Sequence, residues 1–264
     1  MNPFVIIAIA LAIAWLARRI FFPPHPQVKL VETPKIIDHP SPNFGDRKTP
    51  GPSMIVLHYT AMETTQAALD RLCDPKSEVS SHYLVGEDGT IYRLVQEDKR
   101  AWHAGVSYWQ GGTDINSLSI GIEIANQGDR PYTEAQNAAV QDLCAWILSR
   151  YDISPVRVVG HCDVAPGRKQ DPGFFFPWQN LAAAGIGYWK EPTSDDYKFT
   201  AKWGEAEIRS ALNRYGYDPN ADLKSVLDAF QRHFQQGLAQ SPGKVGTADK
   251  ETAARLCALT RELL

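Results

Sequence analysis

The chain has 264 residues, 44% of them hydrophobic, with a formal net charge of -3 at pH 7. That is enough chain for one large or two modest domains with a sizeable core, and no Lys/Arg run offers a nucleic-acid footprint, so no nucleic-acid partner is expected. Cys73, Cys144, Cys162 and Cys257 are scattered with no CxxC pair, which argues against a zinc ribbon or a thioredoxin-like site and for unpaired, mostly buried thiols.

Residues 4–17 are an unbroken apolar run, followed by Arg18-Arg19, Ile20-Phe21-Phe22 and Pro23-Pro24. The run is short for a spanning helix and suits a signal segment or a short membrane anchor; snorkelling of the arginines extends its reach to Phe22. No Cys follows it, so a lipid anchor is not available. The arginines lie after the run, and the positive-inside rule alone would leave the body of the protein on the cytoplasmic side. Residues 23–53 hold Pro23, Pro24, Pro26, Pro34, Pro40, Pro42, Pro50 and Pro52 and read as a tether and an extended lead-in.

Met54 to Leu57 predicts a short strand ending at His58. Thr64-Thr65 open a helix with Ala68, Leu69 and Leu72 on one side and Pro75 beyond its end. Two short strands, at 83–85 and 91–94, flank Asp88-Gly89, a hairpin signal. Ile120, Ile122 and Ile124 alternate with Gly121, Glu123 and Ala125, the period of a strand. Thr133 to Gln136 fits a capping box, and the helix after it carries Val140, Leu143, Cys144, Ile147 and Tyr151 at helical spacing. Val156 to Val159 reads as a last strand that delivers His161. Strands mixed with helices predict an α/β layer fold. After a polar lapse over 185–200, three helices follow: Ile208, Leu212 and Tyr215 stop at Gly216; Leu223, Val226, Leu227, Phe230 and Phe234 mark a second; Thr247 caps a third with Leu256, Leu259 and Leu263.

The segment 161–173, His-Cys-Asp-Val-Ala-Pro-Gly-Arg-Lys-Gln-Asp-Pro-Gly, is the most telling. A His and a carboxylate on a loop stiffened by Pro and Gly can reach one ion with little freedom left to lose. One more nitrogen, offered by His58, would complete a three-ligand site with an open position for water, the pattern of a catalytic zinc. Glu123 offers a carboxylate from another strand.

Five segments then come in a fixed order: Val56-Leu57-His58-Tyr59-Thr60, Ser80-Ser81-His82-Tyr83-Leu84-Val85, Ala101-Trp102-His103-Ala104-Gly105, the Glu123 strand and the His161 loop. Together they resemble the zinc-dependent N-acetylmuramoyl-L-alanine amidases, the family that includes peptidoglycan-recognition proteins, over roughly residues 50–180. The bacterial envelope branch, in which a small helical domain follows the amidase domain, matches best. Segments 226–234 and 246–252 look like the three-helix peptidoglycan-binding module, although their matching residues serve equally well for packing.

The resemblance implies an α/β fold with a mixed central β-sheet flanked by helices, followed by a small three-helix domain. The divisions are an N-terminal segment 1–22, a lead-in 23–49, an amidase domain 50–190 and helices 201–264. It implies one Zn²⁺ on His58, His161 and Asp171, with Glu123 as the general base and Lys169 as a cation beside the developing oxyanion. Trp102, His103, Asn126 and His82 are the expected substrate contacts, with Tyr108 and Trp109 nearby; each serves equally as a packing residue. Cys162, adjacent to His161, is expected to be structural. The implied partner is peptidoglycan or a muropeptide, with the membrane engaged through the N-terminal segment. A binding module that has lost hydrolysis, an unrelated zinc peptidase and a cytoplasmic recycling amidase are the rivals.

Overall fold

Eight short strands build the frame: β1 (Ile36–Asp38), β2 (Phe44–Asp46), β3 (Met54–Tyr59), β4 (Tyr83–Val85), β5 (Ile91–Arg93), β6 (Lys99–Ala101), β7 (Ser119–Ile124) and β8 (Val158–Gly160). This is a computed structural model, and it describes residues 32–261. The apolar run 4–17, Arg18-Arg19 and Leu263 lie outside the described residues. Among the described residues no helix is long and apolar enough to cross a membrane.

Six strands form one mixed sheet in the order β1-β5-β4-β7-β3-β8. All its neighbours run parallel except the β4–β5 hairpin. β2 and β6 pair separately, antiparallel. The central strands β3 and β7 are covered on both faces, as a parallel sheet requires, and their sequences are accordingly near-continuous in apolar or small residues. Ile55, Leu57, Ile120, Ile122 and Ile124 face one layer, while Met54 and Val56 face the other.

The helices are α1 (Thr65–Cys73), α2 (Ile115–Leu118), α3 (Glu134–Leu148), α4 (His161–Val164), α5 (Trp178–Ala183), α6 (Ser194–Phe199), α7 (Glu205–Tyr215), α8 (Leu223–Phe234) and α9 (Lys250–Thr260). Thr64 caps α1 through its hydroxyl, and Ala68, Leu69 and Leu72 are its buried stripe. The capping box at Thr133 and Gln136 forms as the sequence predicts, and α3 buries Val140, Leu143, Cys144 and Ile147. Two boundaries differ. Residues 155–157 form a 3₁₀ turn because Pro155 sets its first φ, so the last strand begins only at Val158. Asp249, not Thr247, caps α9, in a reciprocal box with Thr252.

The helices after residue 200 do not stand off from the sheet. One core cluster joins Met54, Val56, Trp109, Val159 and Val164 to Ile208, Leu212, Tyr215, Phe230 and Leu256. The additional helix α6, placed in the polar stretch after Thr193, packs against α9. The four cysteines are unpaired, three of them buried.

Candidate active site

Three neighbouring strands end at the site. His58 is the penultimate residue of β3, Glu123 is its register partner on β7, and His161 follows Gly160 at the end of β8. Paired residues of parallel strands project to the same face, so His58 and Glu123 rise side by side at the carboxyl end of the sheet, where open α/β sheets bind their ligands. Asp171 arrives from the loop after α4. Its carbonyl accepts the Cys162 N–H at 2.8 Å, which closes the loop back on His161. Gly167 turns with φ +74°, and Arg168 ties the loop down by donating to the carbonyls of Ala104 and Val106 at 2.5 and 2.6 Å.

His58 Nδ1, His161 Nδ1 and Asp171 Oδ2 lie 2.9 to 3.0 Å from one another. All three residues are buried. The hydrogen-bond network fixes which nitrogens carry hydrogen. His161 Nε2 faces the Ala104 carbonyl at 3.1 Å, which only accepts, so that nitrogen is the donor and Nδ1 keeps its lone pair. Ser119 Oγ donates to the Ile115 carbonyl at 2.5 Å and therefore receives the His103 Nε2–H at 3.3 Å. His103 Nδ1 is then an acceptor, and His58 Nε2 donates to it at 3.0 Å. In the neutral form of each ring Nδ1 is therefore the bare nitrogen. In that form two nitrogen lone pairs and a carboxyl oxygen converge on one point. Such a donor set is self-repulsive unless a cation lies at its centre, and two imidazoles with one carboxylate suit zinc.

Burial dominates the electrostatics of these groups. Burial, reinforced by the neighbouring His161, brings His58 down to about 4. Burial also holds His103 well below the ordinary imidazole range, with His58 and His82 adding to it. Burial alone would raise Asp171, yet the two facing imidazoles hold it below the usual carboxylate range. Glu123 goes the other way: burial and then Asp171 push its carboxyl well above the ordinary range. Its Oε2 is buried without a hydrogen-bond partner among the described residues.

The cleft over these groups encloses about 220 Å³ and is lined by Tyr59, Arg71, Trp102, Glu123, Lys169 and Asp171 among others. Lys169 is therefore at the cleft, as its place two residues before Asp171 predicts. Trp102 lines it too. His103 reaches its floor, but both ring nitrogens are committed to His58 and Ser119. Two expected contacts have their polar atoms engaged within the protein. His82 is fully buried; Nδ1 accepts the Gly121 N–H at 2.9 Å and Nε2 lies 3.0 Å from Arg47 Nη2 and 3.1 Å from the Lys99 carbonyl, so both ring nitrogens are engaged within the core. The Asn126 side chain is spent on its own turn, accepting from Gly128 N–H and donating to the Arg130 carbonyl. Trp109 is likewise core, its indole N–H on the Val156 carbonyl. Cys162 is a packing residue whose thiol burial pushes well up.

Sequence reasoning passed over the partners of Asp163. This residue is wholly buried and accepts from Gly160 N–H at 2.7 Å, Tyr217 O–H at 2.6 Å and His233 Nδ1–H at 2.7 Å. His233 is stacked on Trp178, ring centroids 3.7 Å apart. Tyr217 precedes α8 and His233 lies within it, so the helical segment grips the short helix that begins with His161. Nothing local in the sequence links positions so far apart.

The family model described as N-acetylmuramoyl-L-alanine amidase matches residues 46–174. The chain is 39% identical over 227 residues to N-acetylmuramoyl-L-alanine amidase AmiD of Escherichia coli K12, covering 76% of this chain and 79% of AmiD. It is 37% identical to 1,6-anhydro-N-acetylmuramyl-L-alanine amidase AmpD of Haemophilus influenzae, over 54% of this chain and 89% of AmpD. Among solved structures it is similar to E. coli AmiD in complex with the substrate anhydro-N-acetylmuramic acid-L-Ala-D-gamma-Glu-L-Lys, with TM-score 0.71 and coverage of 81% of this chain and 90% of that one. It is also similar to AMPDH3 of Pseudomonas aeruginosa in complex with anhydromuramic pentapeptide, with TM-score 0.71, 33% identity and coverage of 89% and 97%. The ordered motifs, the convergent ligand set and these likenesses agree, and the chain belongs to the N-acetylmuramoyl-L-alanine amidase family.

Proposed function

We propose that this chain hydrolyses the amide between N-acetylmuramic acid, or its anhydro form, and L-alanine in peptidoglycan or muropeptides, with one zinc ion held by His58 Nδ1, His161 Nδ1 and Asp171 Oδ2. The observation that carries the reading is the unpartnered Glu123 Oε2, set beside three convergent lone-pair donors. When bound, zinc supplies Lewis acidity that lowers the pKa of a water to about 7 and polarises the scissile carbonyl.

The protein's own groups do the rest. Glu123 takes the proton of the attacking water at Oε2 and returns it to the departing nitrogen of L-alanine. A carboxyl that burial raises is matched to both halves of that task, whereas an ordinary glutamate would be a poor proton donor. Lys169 places its ammonium beside the carbonyl oxygen as charge gathers there. Trp102 offers an apolar wall to the substrate along the rim. The rival of a binding module without hydrolysis predicts a broken ligand set, and here the set is complete.

The test is product analysis on defined muropeptides with and without added zinc. Zinc-dependent release of stem peptide with a free L-alanine amino terminus is expected, and Glu123→Gln should lower the rate by about 10²- to 10⁴-fold while zinc stays bound. An unchanged rate in that variant would remove Glu123 from the role.

The same reading places the enzyme in the cell envelope, with residues 1–22 as its membrane segment and residues 201–264 as a peptidoglycan-binding-like unit. Its support is the apolar run at 4–17 and the module-like segments 226–234 and 246–252. An alkaline phosphatase fusion after residue 49 should be active in cells; an inactive fusion would point to cytoplasmic recycling of anhydro-muropeptides instead.

A further inference from the structure

The outer nitrogens of the two ligand histidines do not go to scattered partners. His58 Nε2 donates to the side chain of residue 103, and His161 Nε2 donates to the carbonyl of residue 104. The 103–104 segment is itself pinned at one atom: Asn116 Oδ1 accepts both His103 N–H at 3.0 Å and Ala104 N–H at 2.8 Å. The far side of the His103 ring is held by Ser119, whose hydroxyl is anchored on the Ile115 carbonyl. All the supports come from Ile115, Asn116 and Ser119, around the single turn of α2. Asp114 caps that turn by accepting Ser117 N–H, and Arg100 donates to Asp114 at 2.9 Å. One face of the ring packs directly on Gly121, so closely that a Cβ there would sit 2.5 Å from its Cγ.

We propose that His103 is a positioning residue that, held by the Ile115–Ser119 platform, fixes the tautomer and ring plane of His58 toward the metal, while Asn116 aligns both ligand imidazoles through one short segment. This rests on the zinc site argued above. A metal-ligating histidine usually rests its second nitrogen on a carboxylate, a backbone carbonyl or water, and removing such a partner weakens metal binding by about 10- to 100-fold. Here an imidazole fills that place for His58. It can do so only in one tautomer, and Ser119 selects that tautomer by leaving His103 Nε2 nothing to do but donate. The assignment gives the Trp102-His103-Ala104-Gly105 run a chemical reason that does not require His103 to touch substrate.

The experiment measures zinc affinity by chelator competition, the visible d–d spectrum of the Co²⁺-loaded protein, and melting of the metal-free protein, for the full chain and its variants. His103→Phe keeps a ring but cannot accept; it should weaken zinc binding about 10- to 100-fold and alter the cobalt spectrum, with the metal-free melt still cooperative. His103→Gln can accept from His58 and donate to Ser119, so it should recover most of the affinity. Ser119→Ala is a small change that should fold like the wild type and weaken zinc several-fold, and it decides the matter if His103→Phe fails to fold. Wild-type affinity and spectrum in Ser119→Ala or His103→Phe would overturn the proposal, as would a Gln variant no better than Phe, which would mean packing rather than hydrogen bonding. A wild-type protein that binds no zinc would instead overturn the site itself.

Discussion

Replacing Tyr217 by Phe removes one hydroxyl from a fully buried carboxyl group and leaves the ring in place. The ring keeps its edge contact with Trp109, centroids 5.0 Å apart, so the change isolates the 2.6 Å bond to Asp163 Oδ1. Asp163 retains Gly160 N–H and His233 Nδ1–H on its other oxygen. A hydrogen bond to a charged group contributes about 1.5–3 kcal/mol, and leaving one oxygen dry and unpaired places this case near 2 kcal/mol. For a protein of this size each kcal/mol moves the melting temperature by about 2–4 °C, so the variant should melt about 4–8 °C below the wild type. The assay is differential scanning calorimetry of metal-free and zinc-loaded protein. Asp163 also holds the amide just before His161, so the zinc-loaded form should gain less from metal than the wild type does. Tyr197→Phe, an exposed hydroxyl facing Glu251, is the control and should stay within about 0.5 kcal/mol. A Tyr217→Phe melt within 1 °C of the wild type in both forms would refute the clamp.

Three further outcomes are expected. Glu123 binds its proton more tightly folded than unfolded, so the metal-free protein should lose stability as pH rises from the ordinary glutamate range through the raised value; Glu123→Gln should remove that slope, and parallel stability–pH curves would count against it. His82, lowered from 6.5 to about 4 by burial and then Arg47, binds its proton more tightly unfolded, so stability falls as pH drops across that window. At about 1.4 kcal/mol per pH unit that amounts to about 3 kcal/mol, and urea titrations at pH 7 and pH 4 should differ by that much less in His82→Gln. Gly121→Ala drives a methyl into the His103 ring and should cost about 1–3 kcal/mol as well as weaken zinc binding; an unperturbed melt and affinity would mean the ring can move aside.

The site was legible where the chemistry sits on short, punctuated segments. His58 closes an apolar strand, Glu123 interrupts an alternating one, and the His161–Asp171 loop carries its own Pro and Gly. Parallel pairing then brings the first two into register without further instruction. What stayed hidden was the support around them. His103 and His82 look alike in sequence, each flanked by an aromatic, and their rings meet edge to face with centroids 5.8 Å apart, yet one reaches His58 and the other is spent on the Gly121 N–H. Likewise, polar residues such as Asn116 and Asp163 carry no periodic signal, and apart from Gly160 the partners of their side chains lie 12 to 70 positions away. The helical segment was recognisable from its apolar spacing, but not the fact that it shares a core with the sheet, because a buried stripe does not say what buries it.

The grip of Tyr217 and His233 on Asp163 bears on how such a protein can be rearranged over generations. A chimera that joins this sheet to helices from a homologue without those two side chains would strand a buried carboxyl with a single backbone donor, two residues from His161. The helices and the loop therefore behave as one unit of exchange, and a graft that leaves out the helical segment needs new partners for Asp163.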